Sequence, residues 1–212
     1  MQNITTIIFD FDSTLAHSLP EIKKIFLSIA HDLRYSVTPK LVESLIHEEI
    51  KEIFKKLNLS FWQLPKVEKL FRLKMKTSIK NIKPFPETKE MIIELEKLGF
   101  QLGIFTSNTP ENVEWFLKKY HLEKYFDFID GGSSFLGKAR KLKKLLRNKR
   151  LKREEVFYVG DETRDITAAQ KNKVKVIAVT WGINPRPVLS KYNPDYLVDN
   201  QQQIISIFKK LC

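Results

Sequence analysis

Four aspartates in two short clusters are the residues best placed, by type and spacing, to do chemistry in this 212-residue chain. Asp10 and Asp12 flank Phe11 at the end of the apolar run Ile4–Phe9. Asp161 and Asp165 lie in Gly160-Asp161-Glu162-Thr163-Arg164-Asp165, at the end of another apolar run. Carboxylates brought together without a counter-charge repel one another and raise one another's pKa. A hard divalent cation relieves that repulsion, and Mg2+ takes a few carboxylate oxygens while keeping water and phosphate oxygens as its other ligands. Such a centre suits phosphoryl transfer, where catalysis is largely positioning and charge neutralisation. One carboxylate can attack phosphorus and form an aspartyl phosphate. A second, two residues away, can protonate the leaving oxygen and then activate water. Thr106 and Ser107 offer hydroxyls to phosphate oxygens, and Lys138, after Gly137, offers a cation.

These groups need elements that bring them to one place. Ile4 to Phe9 reads as a fully buried strand of parallel type. From Pro20 to about Lys80 the pattern is helical, with apolar spacing over Glu21–Leu33, Pro39–Leu57 and Leu64–Ile79. Pro84 and Pro86 close that block. Helices and strands then alternate: Glu87–Leu98 helical, Phe100–Phe105 a strand, Pro110–Tyr120 helical, Phe126–Ile129 a strand, Lys138–Asn148 helical, Val156–Val159 a strand. Ile166–Asn172 is helical, Val174–Thr180 and Tyr196–Val198 are strands, and Gln203–Leu211 is a closing helix. This alternation predicts an α/β fold with a doubly wound parallel sheet, made of residues 1–16 and 83–212, with an all-helical block, 17–82, inserted after the first strand. Ligands in such folds bind beyond the carboxyl ends of the strands, and Asp10, Thr106 and Asp161 all sit at those ends.

Composition narrows the class. Hydrophobic residues make up 42% of the chain and aromatic residues 11%, enough for a sizeable core. No apolar run is long enough to span a bilayer, and the start of the chain does not read as a secretion signal. The one cysteine, Cys212, cannot form an internal disulfide, so a reducing, cytoplasmic setting is expected. The four histidines show no paired ligand spacing, which argues against zinc. Lys+Arg outnumber Asp+Glu by 37 to 25, for a net charge of +12. That favours anionic partners, of which a small phosphorylated substrate fits the site better than nucleic acid. The basic stretch 138–153 reads as an amphipathic helix with Leu142, Leu145 and Leu146 inward and solvated charges outside. Phe61-Trp62 is expected to pack in the core or hinge of the helical block, with stacking on a base or sugar as the rival reading, and His17 to lie near its hinge.

The motifs together resemble the haloacid dehalogenase-like superfamily. Ile7-Ile8-Phe9-Asp10-Phe11-Asp12-Ser13-Thr14-Leu15 is similar to its first motif, Leu102-Gly103-Ile104-Phe105-Thr106-Ser107-Asn108 to its second, Gly137-Lys138 to its third and Gly160-Asp161 through Asp165 to its fourth. Lys83-Pro84-Phe85-Pro86, Val179-Thr180-Trp181-Gly182 and Pro194-Asp195-Tyr196-Leu197-Val198 agree with the phosphoglycolate phosphatase-like branch, whose helical cap is inserted where this helical block lies. The resemblance implies Asp10 as nucleophile and Asp12 as general acid/base. It implies Mg2+ on Asp10, the Asp12 carbonyl and Asp161, with phosphate on Thr106, Ser107 and Lys138, and with Asp165 and Thr14 supporting the ligands from behind. The second aspartate of the first motif argues against dehalogenation. The chain departs from the branch at Ser13, commonly glycine, at His17, often aspartate, and at Ala139, where proline often follows the lysine. A phosphatase of a small metabolite is the expected function. A phosphomutase, a nucleotide or polynucleotide phosphatase, and a non-catalytic basic binding protein are the rivals. Oligomeric state is not readable.

Overall fold

A computed structural model describes residues 5–48, 50–132 and 136–211 of the chain. The expected strand start at Ile4, the first three residues and Cys212 lie outside them.

Six strands form one parallel sheet: β1 (Thr6–Phe9), β2 (Gln101–Phe105), β3 (Phe128–Asp130), β4 (Val156–Gly160), β5 (Lys175–Val179) and β6 (Tyr196–Val198). They are ordered β3-β2-β1-β4-β5-β6. Every residue of β1 and of β4 is buried, as expected of central strands covered on both faces. The strand pleat sends alternate side chains to opposite layers. Ile8 and Tyr158 belong to the cluster that includes Leu142, Leu145, Leu146 and Ile166. Phe157, one residue away, packs its ring on Phe208 at 5.2 Å. The helices supplying these layers are α5 (Thr88–Lys97), α6 (Pro110–Lys119), α7 (Lys138–Asn148), α8 (Thr163–Lys171), the short α9 (Arg186–Leu189) and α10 (Gln201–Leu211), numbered after four helices of the inserted block. Helix α7 buries Leu142, Leu145 and Leu146 and leaves Arg140, Lys143, Lys144 and Arg147 exposed.

The chain divides into two compact units, one comprising residues up to His17 and from Lys83 onward, the other Ser18–Ile82. His17, counted with the helical block by sequence, is tied to the α/β unit. Its N–H donates to the Lys83 carbonyl at 2.8 Å and its ring lies 4.8 Å from that of Phe85. The second unit contains α1 (Leu19–Asp32), α2 (Pro39–Leu45), α3 (Ile50–Lys56) and α4 (Leu64–Ser78). Within it, α1 buries Ile22, Ile25 and Ile29, and α4 buries Leu64, Val67 and Met75. Pro39–Leu57, read as one helix from its apolar spacing, is two. A tight turn in which Glu48 N–H donates to the Leu45 carbonyl at 2.9 Å ends α2. Val42, Leu45, Ile53 and Phe54 are all buried, so the apolar period runs on through the break and does not reveal it. Helix α9, just after Pro185, is likewise too short to show a period. Among the described residues no helix is long and apolar enough to cross a membrane.

Candidate active site

The sheet order puts β1 between β2 and β4, in parallel register with both: Phe9 is level with Ile104 and with Val159. The three polar strand ends therefore lie side by side. Asp10 follows β1, Thr106 follows β2, and β4 runs through Gly160 into Asp161. Asp10 is 2% exposed, and its N–H donates to the Val159 carbonyl at 2.8 Å. Just beyond it Ser13 turns the chain with φ of +60°, the left-handed region where glycine is unstrained, which accounts for the resemblance's preference for glycine at this position.

Lys138, the first residue of α7, reaches inward from a helix start that Gly137 opens with φ of +80°. Its ammonium donates to Asp10 Oδ1 at 3.0 Å and forms a still closer ion pair with Asp165. It is also 5.6 Å from the ring centre of Tyr158 and 5.9 Å from that of Phe105. Tyr158 donates its hydroxyl to the Phe105 carbonyl at 3.2 Å, and its oxygen lies 3.4 Å from Asp165 Oδ1. The Asp165 Oδ2 accepts the Glu162 N–H at 3.0 Å, which ties the start of α8. A Cβ on Gly160 would lie 2.5 Å from the Asp165 carboxyl, so only glycine lets that carboxyl pack against β4.

Asp161 is fully buried and engaged on both oxygens. Oδ1 accepts the Thr14 hydroxyl at 2.8 Å, and Oδ2 accepts the Ile183 N–H at 2.7 Å. The loop after β5 completes this clamp: the Trp181 indole N–H donates to the Thr14 carbonyl at 3.1 Å, and a Cβ on Gly182 would fall 2.3 Å from Asp161. Asp12 is half-buried and accepts the Asn108 side-chain N–H at 3.0 Å. Thr106 is fully buried, its hydroxyl accepting the Asn108 N–H at 3.1 Å, and Ser107 beside it is half-buried. These two residues do not cap α6. Thr109 does, accepting the Asn112 N–H.

The structure thus joins Asp10, Lys138 and Asp165 directly, and Thr14 to Asp161, while Asp12 and Thr106 meet through Asn108. Sequence reasoning missed Glu162. Among the described residues, Asp10, Glu162 and Asp165 place carboxylate oxygens within 4.8 Å of one another. Its adjacency to Asp161 was the available signal. Arg164 pairs with Glu162 at 2.5 Å.

Burial dominates the electrostatics. It pushes Asp10 up to about 7, against the pull of Lys138 and with added repulsion from Asp165. Burial, together with Glu162, Asp10 and Asp165, drives Asp161 well above the usual carboxylate range. Lys138 is drawn down by burial, but Asp10 and Asp165 outweigh this and raise it, so it stays charged. Two cations, Lys138 and Arg164, stand among the four carboxyls of Asp10, Asp161, Glu162 and Asp165, so full ionisation leaves excess negative charge, and the donors are hard carboxylate oxygens. That set fits a divalent cation of the Mg2+ type and not a soft, thiolate-seeking metal.

Comparison with known proteins gives the chain a family. Residues 7–179 match the model of the haloacid dehalogenase-like hydrolases. The chain is 31% identical over 206 residues to a phosphoglycolate phosphatase from Synechococcus elongatus, covering 97% of each. It is 28% identical to pyrophosphatase PpaX from Bacillus mycoides, covering 98% of each. A haloacid dehalogenase-like family hydrolase from Streptococcus pneumoniae shares the fold, with a TM-score of 0.82 at 24% identity over 98% of this chain and 100% of that one. With its buried aspartate at the end of the first strand, its lysine-bridged carboxylates and this match across most of its length, the chain belongs to the haloacid dehalogenase-like hydrolase family.

Proposed function

We propose that the protein is a magnesium-dependent phosphohydrolase that cleaves a phosphate monoester of a small metabolite through an aspartyl phosphate on Asp10. The observation that supports this most is the buried Asp10, held by Lys138 at a strand end beside Asp12 and a group of further carboxylates. Asp10, the Asp12 carbonyl and Asp161 are assigned as the residues that would hold Mg2+, with Glu162 near enough to Asp10 to add an oxygen and Asp165 supporting Lys138 from behind. Held there, the ion would offset the carboxylate charge and polarise the phosphate oxygens.

The chain's own groups divide the work. An Asp10 carboxylate oxygen attacks phosphorus, the bond from phosphorus to the leaving oxygen breaks, and Asp12 gives that oxygen its proton. Asp12, now a base, takes a proton from the water that attacks the aspartyl phosphate, freeing phosphate and restoring Asp10. Lys138 holds Asp10 in line and neutralises the charge that builds there, while Thr106 and Ser107 donate to phosphate oxygens. The inserted unit, Ser18–Ile82, is assigned the selection of substrate. A single cysteine suits a cytoplasmic enzyme.

The test is phosphate release from a panel that includes phosphoglycolate, pyrophosphate, sugar phosphates and nucleotides, with Mg2+ and with EDTA. Magnesium-dependent release of free phosphate, lost by roughly 10^4-fold or more in Asp10→Asn, is expected. Transfer of phosphate to a second hydroxyl instead of water would make it a mutase, and full activity in Asp10→Asn would remove the mechanism.

A further inference from the structure

Asn108 is 4% exposed, on the loop between β2 and α6, and its side chain is hydrogen-bonded at both ends. Its amide nitrogen donates to Asp12 Oδ2 at 3.0 Å. Its amide oxygen accepts the Thr109 N–H at 2.9 Å and the Asn112 side-chain N–H at 2.9 Å. An amide oxygen only accepts and an amide NH2 only donates, so those two donors settle which end of Asn108 faces Asp12. Asn112, 4% exposed in the first turn of α6, is thereby the fixed post of a relay from Asn112 through Asn108 to Asp12. The backbone of Asn108 is pinned as well: its N–H donates to Thr106 Oγ1 at 3.1 Å and its carbonyl accepts the Gly132 N–H at 2.6 Å. A Cβ on Gly131 would come within 2.7 Å of that carbonyl, so the neighbouring turn is closed tightly against it.

A carboxyl oxygen facing an N–H must accept, and it accepts best unprotonated, so this hydrogen bond favours a proton carried by Asp12 on its other oxygen. We propose that Asn108, locked in orientation by Asn112, is a positioning residue that fixes the rotation of the Asp12 carboxyl and assigns its transferable proton to Oδ1. The inference rests on the phosphohydrolase reading and adds to it the origin of the acid's alignment. An unaligned acid hurts most where the leaving oxygen is a poor leaving group and needs the proton. An aryl phosphate leaves as a stabilised phenolate and needs it least.

The experiment compares kcat/KM, which reports the steps through aspartyl phosphate formation, for an alkyl and a p-nitrophenyl phosphate with Mg2+. In Asn108→Asp, which keeps the size of the side chain and both accepted hydrogen bonds, the alkyl value should fall about tenfold or more, with the aryl value changed by less than about threefold. Asn112→Ala should show the same split to a smaller degree, with Asp12→Asn as the large-effect reference. Equal losses on both substrates, or no loss on either, in a variant whose unfolding temperature matches the wild type would overturn the proposal. Wild-type protein that releases phosphate from neither substrate would overturn the phosphohydrolase reading and this inference with it.

Discussion

The strand-end site of the α/β unit and the inserted helical unit treat their charges in opposite ways. In the first, Lys138, Asp10 and Asp165 form ion pairs with side chains at most 4% exposed. In the second, Lys23 pairs with Glu43 at 2.6 Å while their side chains are 29% and 59% exposed, and Lys74 pairs with Asp32 at 2.8 Å in a similarly open setting. Exposed pairs of this kind contribute about 0–1 kcal/mol. A buried pair that loses one member leaves an uncompensated charge and costs about 3–5 kcal/mol. The contrast extends to aromatic residues: Tyr158 is fully buried under the Lys138 ammonium, whereas Trp62 is 93% exposed. The part of the molecule assigned to chemistry is over-determined by packing, and the part assigned to selection leaves its surface free to vary.

The largest effect expected from breaking that contrast is at Lys138. Lys138→Met should lower unfolding free energy by about 3–5 kcal/mol in urea melts and remove most activity, because Asp10 and Asp165 are left buried without their cation. Added Mg2+ should restore part of the lost stability. A loss below about 1 kcal/mol would show that the buried ion pairs are no more valuable than surface ones.

Gly182→Ala comes next. A methyl 2.3 Å from Asp161 must displace either that carboxylate or the Trp181–Asn184 loop. Calorimetric titration should show Mg2+ affinity weakened by roughly 10–100-fold, the size usual when a group that orients a metal ligand is disturbed. Unchanged affinity would release Asp161 from its assigned role.

The third prediction concerns pH. Asp10 titrates near 7 in the folded, metal-free chain against an ordinary value of 3.8, so the folded state holds a proton that the unfolded state has lost. Its contribution to stability is complete below about pH 4 and disappears as pH rises through 7. In EDTA the unfolding temperature should therefore fall between pH 5 and 8, and Asp10→Asn should flatten that slope. A rise over the same window would contradict the sign. The smallest effect belongs to the helical unit: Trp62→Ala should change stability by less than about 0.5 kcal/mol and leave p-nitrophenyl phosphate turnover unaltered. A marked loss of either would mean that this exposed ring has a partner in the working enzyme.

Much of this organisation is legible in the chain itself. Apolar runs ending in Asp10, Thr106 and Asp161 announce buried parallel strands with reactive ends, because a strand covered on both faces has to be apolar throughout and its polar residues collect where it stops. The inserted helices are legible from their 3.6-residue period, though the turn at Ile46–Glu48 is not, since the period continues across it. Residue type and local spacing thus determined the fold class, the insertion and the candidate chemistry. Only the tertiary structure decided that β1 lies between β2 and β4, that Lys138 spans Asp10 and Asp165, that Glu162 joins their cluster, and that the Asn108 amide donates to Asp12. Each of those depends on side chains brought together across large sequence separations by sheet order and helix docking, and no local pattern encodes such a pairing.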